Sequence, residues 1–352
     1  DKYATIDETG ALLIGNIINK PLITGIVDKD LIKSPIKTAS SFVFTGASNE
    51  FLYMSGNGYL MVFDSSDKAN IQFLKIVFDS RINNPQSMLV EGNNLYILPY
   101  SSDTRVRALS VFDITTKASP VLLSALDDNS YIGGGKGYIN GNYLYLNSYG
   151  NRYRFTAYDI SNIRTTGKIT RAGSVYNNTA LNSADEFLVV GNYAYACSRI
   201  NDSISVIDIS NPASMSIVTT LKDAVRLDGC NGLLRNGTNL FVYGSSLFTV
   251  VDISTATAPV ISNSFSLPVS GSATSSMAFD STRDIVYLSN YSYVAALDVS
   301  DTTNVKVLDV TENYEMAFGA KVTYLIDGVP WTLNTTANEE SLATQQTINA
   351  QE

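Results

Sequence analysis

Thirty-three Asp and Glu side chains, a Gly133-Gly134-Gly135-Lys136 run, two cysteines and no histidine set the chemistry open to this 352-residue chain. Without an imidazole there is no histidine general acid or base, no Ser-His-Asp or Cys-His nucleophile and no histidine metal ligand. Acid–base work would fall to carboxylates, which hydrolyse glycosidic bonds in pairs whose separation decides the mechanism. No motif singles out such a pair. The glycine run could cradle a phosphate, but it lacks Walker spacing and no helical pattern follows it, so it reads as a loop. Asp280 with Asp284, and Asp298 with Asp301, could offer oxygen ligands to calcium; without an EF-hand or calcium-repeat pattern they read as turns. No metal site and no cofactor is implied. Cys197 and Cys230 are too few for a disulfide scaffold or a Cys-based zinc site, and one bridge between them remains open.

The elements that would position these groups follow from a repeat. Two or more apolar residues, then Asp, then usually Ser or Thr two places on, recur at Asp28, Asp64, Asp113, Asp159, Asp208, Asp252 and Asp298. The spacings of 36, 49, 46, 49, 44 and 46 residues match the roughly 40–50-residue periods of propeller repeats. Upstream of six of them lies an apolar segment with an aromatic: Tyr53, Tyr96, Tyr145, Tyr195, Phe241 and Tyr287. Turn residues that tolerate positive φ precede it, as in Gly141-Asn142 and Gly191-Asn192, which predicts hairpins. Short β-rich runs at this rhythm predict four-stranded sheets in radial repetition. Each repeated Asp is expected to accept N–H groups of the turn that follows its strand, together with Ser66, Thr115, Ser161, Ser210, Ser254 and Ser300.

The stretch Val190-Gly191-Asn192-Tyr193-Ala194-Tyr195, followed by Ser205-Val206-Ile207-Asp208-Ile209-Ser210-Asn211-Pro212, resembles an LVIVD repeat, and Asp113 and Asp252 head similar segments. The resemblance spans about residues 23–310. It departs from the pattern at Asp28, which Lys29-Asp30 follows, and only Asp208 keeps the full Ser-Asn-Pro. It implies a propeller of the kind found on bacterial and archaeal surface proteins, without an assigned activity, and it brings no catalytic residues.

Seven aspartates predict an all-β, seven-bladed propeller of four-stranded antiparallel blades. Closure is expected by pairing of the N- and C-terminal segments, with Glu315–Phe318 and Lys321–Ile326 joining the blade of Asp28 and so removing exposed edges. A six-bladed ring with a separate N-terminal strand is the alternative. The domain expectation is an N-terminal arm over 1–20, one propeller over 21–333, and a polar tail over 334–352 too poor in apolar residues to form a core. The arm and tail could dock on neighbouring subunits in an assembly.

A formal charge of −9 argues against nucleic acid and anionic membranes, whose binding needs clustered Lys and Arg. No apolar run reaches the ~18–20 residues of a membrane span, so no membrane insertion is expected. Three consecutive blades carry arginine in the loop between their second and third strands: Arg105 and Arg107, Arg152 and Arg154, and Arg199. With Tyr149 and Tyr153 they form a candidate basic-aromatic site for an anionic glycan or an acidic protein surface. The alternative for these arginines is local pairing with Asp103 and Asp202. The Ser-x-Asp-x-Gly-x-Thr-Trp box of sialidase propellers is absent, and one tryptophan, Trp331, is sparse for a sugar cleft. The expected function is therefore a non-catalytic extracellular or surface module for structure, adhesion or receptor recognition, with a protein or glycan partner. A phage virion component, from tail or capsid surface, and a carboxylate-based glycan-active enzyme are the alternatives.

Overall fold

The computed structural model describes residues 50–56, 58–67, 72–82, 85–99, 108–128, 131–132, 136–147, 153–267, 276–289 and 293–312. It also gives the backbone strands β1 (Lys2–Ile6), β2 (Ala11–Asn16), β3 (Lys20–Ile26), β4 (Ser41–Thr45), β28 (Lys321–Ile326) and β29 (Val329–Asn334). Six four-stranded antiparallel sheets run in simple up-and-down order. The first comprises β4, β5 (Phe51–Gly56), β6 (Tyr59–Asp64) and β7 (Gln72–Phe78), and the second β8 (Pro85–Glu91), β9 (Asn94–Pro99), β10 (Ala108–Asp113) and β11 (Val121–Asp127). The third is β12 (Gly137–Asn140), β13 (Tyr143–Asn147), β14 (Arg154–Asp159) and β15 (Thr170–Tyr176). The fourth is β16 (Ala184–Val190), β17 (Tyr193–Ser198), β18 (Ser203–Asp208) and β19 (Ser216–Lys222). The fifth is β20 (Gly232–Asn236), β21 (Asn239–Tyr243), β22 (Leu247–Asp252) and β23 (Val260–Ser266). The sixth is β24 (Ser276–Asp280), β25 (Ile285–Ser289), β26 (Tyr293–Asp298) and β27 (Lys306–Glu312).

The expectation of seven blades is thus corrected to six among the described residues. β1–β3 form their own three-stranded sheet and β28–β29 their own hairpin. The 36-residue step from Asp28 to Asp64 already marks the difference, being about ten residues short of the other repeats. Asp28 itself lies outside the described residues. The N-terminal sheet also crosses the boundary expected at residue 20.

Contacts divide the chain into two compact units, Asp1–Ile97 with Ser110–Ala125 and Tyr314–Glu352, and Leu98–Leu109 with Leu126–Asn313. In the first, Tyr53, Leu60, Val62, Ile97 and Phe112 form a buried cluster. In the second, aromatic and aliphatic side chains interleave between successive blades, as where Phe187 of the fourth meets Phe155 of the third edge to face at 4.9 Å. Burying each such ring contributes roughly 1.5–3 kcal/mol.

The local rules behind a blade are legible residue by residue. Gly141 and Gly191 hold φ at +57° and +58°, the left-handed geometry that closes the hairpins β12–β13 and β16–β17. At the far end of the third strand, the residue after each repeated Asp returns its N–H to that hairpin. Ile114 donates to Asn93 O, Ile160 to Asn142 O, Ile209 to Asn192 O and Ile253 to Thr238 O, at 2.8–2.9 Å. The carboxylates of Asp64, Asp113, Asp159, Asp208, Asp252 and Asp298 accept the N–H two residues on, at 2.7–3.0 Å. These bonds hold Asp64, Asp159, Asp208 and Asp298 below the usual carboxylate range, most through Ser hydroxyl and backbone donors.

The periodic tyrosines have a matching role. Tyr53 Oη donates to Lys117 O at 2.7 Å and Tyr195 Oη to Ala256 O at 3.2 Å. In both cases the acceptor lies four residues past the Asp of the next blade, so one blade latches the turn of its neighbour. In five blades the outer strand carries one extra residue against the third strand, at Leu74, Ala172, Val218, Ser262 and Leu308.

Candidate functional site

The start of β16 places a carboxylate where solvent scarcely reaches it. Ser183, at φ +49°, turns the chain into the strand, and a register shift between Ala184 and Glu186 re-aims the side chain, as bulges do. Phe187 enters the apolar cluster shared with the third blade, so its neighbour Glu186 lies on the alternate face. The Glu186 side chain is 12% exposed, and Lys136, immediately before the inner strand β12 of the third blade, reaches it with its ammonium while staying 51% exposed. Burial pushes the Glu186 carboxyl above its ordinary value, and the charge and hydrogen bond of Lys136 offset only part of that. A buried carboxylate raised above its ordinary value beside a half-open cation is a candidate for acid–base work.

The loop ahead of β20 adds a third polar group at the same end of the inner strands. Asn231 precedes β20 as Lys136 precedes β12 and Ser183 precedes β16. Its N–H donates to Tyr243 O at 2.9 Å. Cys230, next to it, is bonded to Cys197 with Cα atoms 5.7 Å apart, and Cys197 is the register partner of Glu186. Both sulfurs are fully buried.

The expected arginine site is only partly described. Arg105, Arg107, Tyr149 and Arg152 lie outside the described residues. Arg154 sits over the rings of Tyr131 and Tyr176, at 4.6 and 5.0 Å from their centroids. Tyr153 packs edge to face on Tyr176 at 6.2 Å. Arg171, which sequence reasoning did not select, covers Tyr131 at 3.6 Å and pairs with Asp128 at 3.1 Å. Arg199 lies at the β17–β18 turn, where its N–H donates to Ser183 O. Asp202, one of its expected partners, accepts from Gly229 N. Asp280, Asp298 and Asp301 accept from their own turns, at Thr282, Ser300 and Thr303. No group of three potential metal ligands occurs among the described residues, and none of their helices is long and apolar enough to cross a membrane.

Glu186 went unselected in the sequence because the Asp-Glu pair in ADEFLVV carries no motif. The available signal was an acidic pair opening an apolar run, together with Lys136, already singled out within the glycine run.

Residues 183–223, which contain Glu186 and Cys197, match the LVIVD repeat model. No curated protein sequence matches the chain. Solved structures of similar fold include a Bacteroides fragilis protein provisionally named a 6-phosphogluconolactonase, with TM-score 0.64 and 12% identity over 88% of this chain and 90% of that one. They also include the periplasmic gluconolactonase of Pseudomonas aeruginosa, with TM-score 0.62 and 13% identity over 88% and 92%. A hypothetical selenium-binding protein of Sulfolobus tokodaii is similar at TM-score 0.59 and 10% identity over 88% and 90%. Identities this low speak for the fold alone. Two of these three carry lactonase names, so the inference from this fold to a non-catalytic module is withdrawn. What sequence, blades and comparisons establish together is a chain that has the fold of a β-propeller and matches the LVIVD repeat model over residues 183–223.

Proposed function

We propose that the chain is a carboxylate-based hydrolase of small carbohydrate-derived substrates, and that a sugar-acid lactone is its substrate class. The observation that carries this reading is the buried, upward-shifted Glu186 carboxyl beside the half-exposed Lys136 at the inner strand ends. The lactonase names among proteins of similar fold agree with it. With no histidine in the chain, a general base must be a carboxylate or another unusual group, and Glu186 is the buried carboxylate whose shift runs upward.

In the proposed step, ionised Glu186 takes one proton from water as the water oxygen bonds to the lactone carbonyl carbon. The ester C–O bond then breaks, and the ring oxygen leaves with the proton returned by Glu186. The product is the open-chain hydroxy acid. Lys136 favours the ionised form of Glu186 and places positive charge where the carbonyl oxygen becomes negative. The bond joining Cys197 and Cys230 favours an oxidising compartment for this activity.

The test is pH-stat hydrolysis of δ-gluconolactone above its spontaneous rate, with Glu186→Gln beside the wild type. Loss of a positioned general base should reduce kcat at least ~100-fold while the folded β-sheet spectrum is retained. A wild type no faster than buffer, or a Glu186→Gln variant as fast as the wild type, overturns the reading.

A further inference from the structure

Asn231 is 8% exposed, and among the described residues its Nδ2 has no hydrogen-bond partner. Leaving a buried donor unmade is costly, and the surrounding loop is not loose enough to explain it. Leu227 N donates to Asp223 O, Cys230 N to Leu227 O and Ser245 N to Asp228 O, all within 3.0 Å. Gly229 N donates to Asp202 Oδ1 at 3.1 Å and Thr249 Oγ1 to Arg226 O at 2.6 Å. A loop with this many backbone bonds made has fixed the amide in place and left one donor unspent.

The disulfide says where that donor lies. Cys197 faces Glu186 across the β16–β17 pair, and Cys230, bonded to it at a Cα separation of 5.7 Å, is the residue before Asn231. Standard strand-pair and chain spacings then hold the Cα atoms of Asn231 and Glu186 within about 15 Å. The two side chains with one hexose-sized lactone between them can bridge that span. β16 and β20 are also adjacent inner strands.

Resting on the lactonase reading of Glu186, we infer that Asn231 is a specificity-determining residue whose Nδ2 donates to a hydroxyl oxygen of a polyhydroxylated lactone. That assignment gives a buried donor, held by the bonded loop around it, a substrate oxygen as its acceptor. The lactone carbonyl is left to Lys136, so Asn231 distinguishes hydroxylated rings from bare ones, as a buried donor does when its acceptor is absent.

The experiment compares wild type and Asn231→Ala on δ-gluconolactone and on δ-valerolactone, which has the ring ester and no hydroxyls. In Asn231→Ala, kcat/KM for gluconolactone should fall roughly tenfold, the worth of one hydrogen bond, mainly through KM. The valerolactone value should stay unchanged, so the ratio between substrates collapses. Thermal stability should not fall, because the donor removed had no protein partner. Unchanged discrimination in an active, folded variant overturns the assignment of Asn231 and leaves Glu186 standing. Equal loss on both substrates overturns the hydroxyl contact. A wild type inactive on both lactones, with Glu186→Gln indistinguishable from it, removes the lactonase reading and this inference with it.

Discussion

Opening the Cys197–Cys230 bond should lower the melting temperature by about 5–9 °C, by the following reckoning. The bond joins residues separated by 33 positions. On the chain-entropy model, closing a loop of that length removes about 12.5 cal/mol/K from the unfolded chain, which is about 3.7 kcal/mol at 25 °C. Unfolding entropy of about 2.1 cal/mol/K per residue, taken over 352 residues, makes that a shift of about 5 °C. If the unit Leu98–Leu109 with Leu126–Asn313 melts alone, fewer residues share the loss and the shift rises to roughly 9 °C. Both sulfurs are fully buried, so reductant must be added to unfolded chain before refolding. Scanning calorimetry of oxidised and reduced protein, with intact mass to count thiols, reads the effect. A Cys197→Ala/Cys230→Ala variant separates the cross-link from the sulfur chemistry. If reduced, oxidised and variant proteins melt within about 1 °C of one another, the loop-closure argument is refuted for this bond.

The other predictions concern charge. Replacing Lys136 with Met removes the group that offsets the burial of Glu186, so the acid limb of kcat against pH should move to higher pH; an unmoved limb would separate Lys136 from Glu186. Because the folded Glu186 carboxyl is raised above its ordinary 4.5, its contribution to stability is full below that value and is lost as pH rises through the folded value. Glu186→Gln should therefore gain stability relative to wild type as pH rises above the ordinary carboxyl value of 4.5, read by denaturant midpoints at each pH. Asp280 runs the opposite way, lowered from 3.8 to about 2 by Thr282 and Arg283. Its contribution is present above 3.8 and lost as pH falls toward about 2, so Asp280→Asn should flatten the acid limb of stability by close to one proton. An identical limb in the two proteins would show that this turn does not couple to folding.

The blades were legible because their determinants are local. An Asp and the N–H two residues on, or a Gly-Asn pair and its positive φ, are settled within a few residues of chain. The tyrosine spacing was equally visible, although the latch from Tyr195 to Ala256 spans 61 residues and only the packed blades show its purpose. The blade number went astray at Asp28, which lies outside the described residues; six four-stranded sheets stand where the motif count gave seven. Glu186 was illegible for a different reason. Its chemistry comes from burial and from Lys136 of another blade, and neither is encoded in the letters around it. Asn231 was hidden likewise, since an unspent donor is recognised only after every neighbouring bond has been assigned.

The extra residues in the outer strands have a consequence beyond geometry. Leu74, Val218 and Leu308 are 41%, 45% and 53% exposed, and each is the unpaired residue of its bulge. A straight outer strand bearing such side chains would offer a template on which a second molecule could add a strand. The bulge interrupts the row of free N–H and C=O groups and twists it out of register with a flat partner. The same interruption recurs in five blades, and in three of them it falls on an exposed apolar residue, which makes each of those edges a poor template for strand addition.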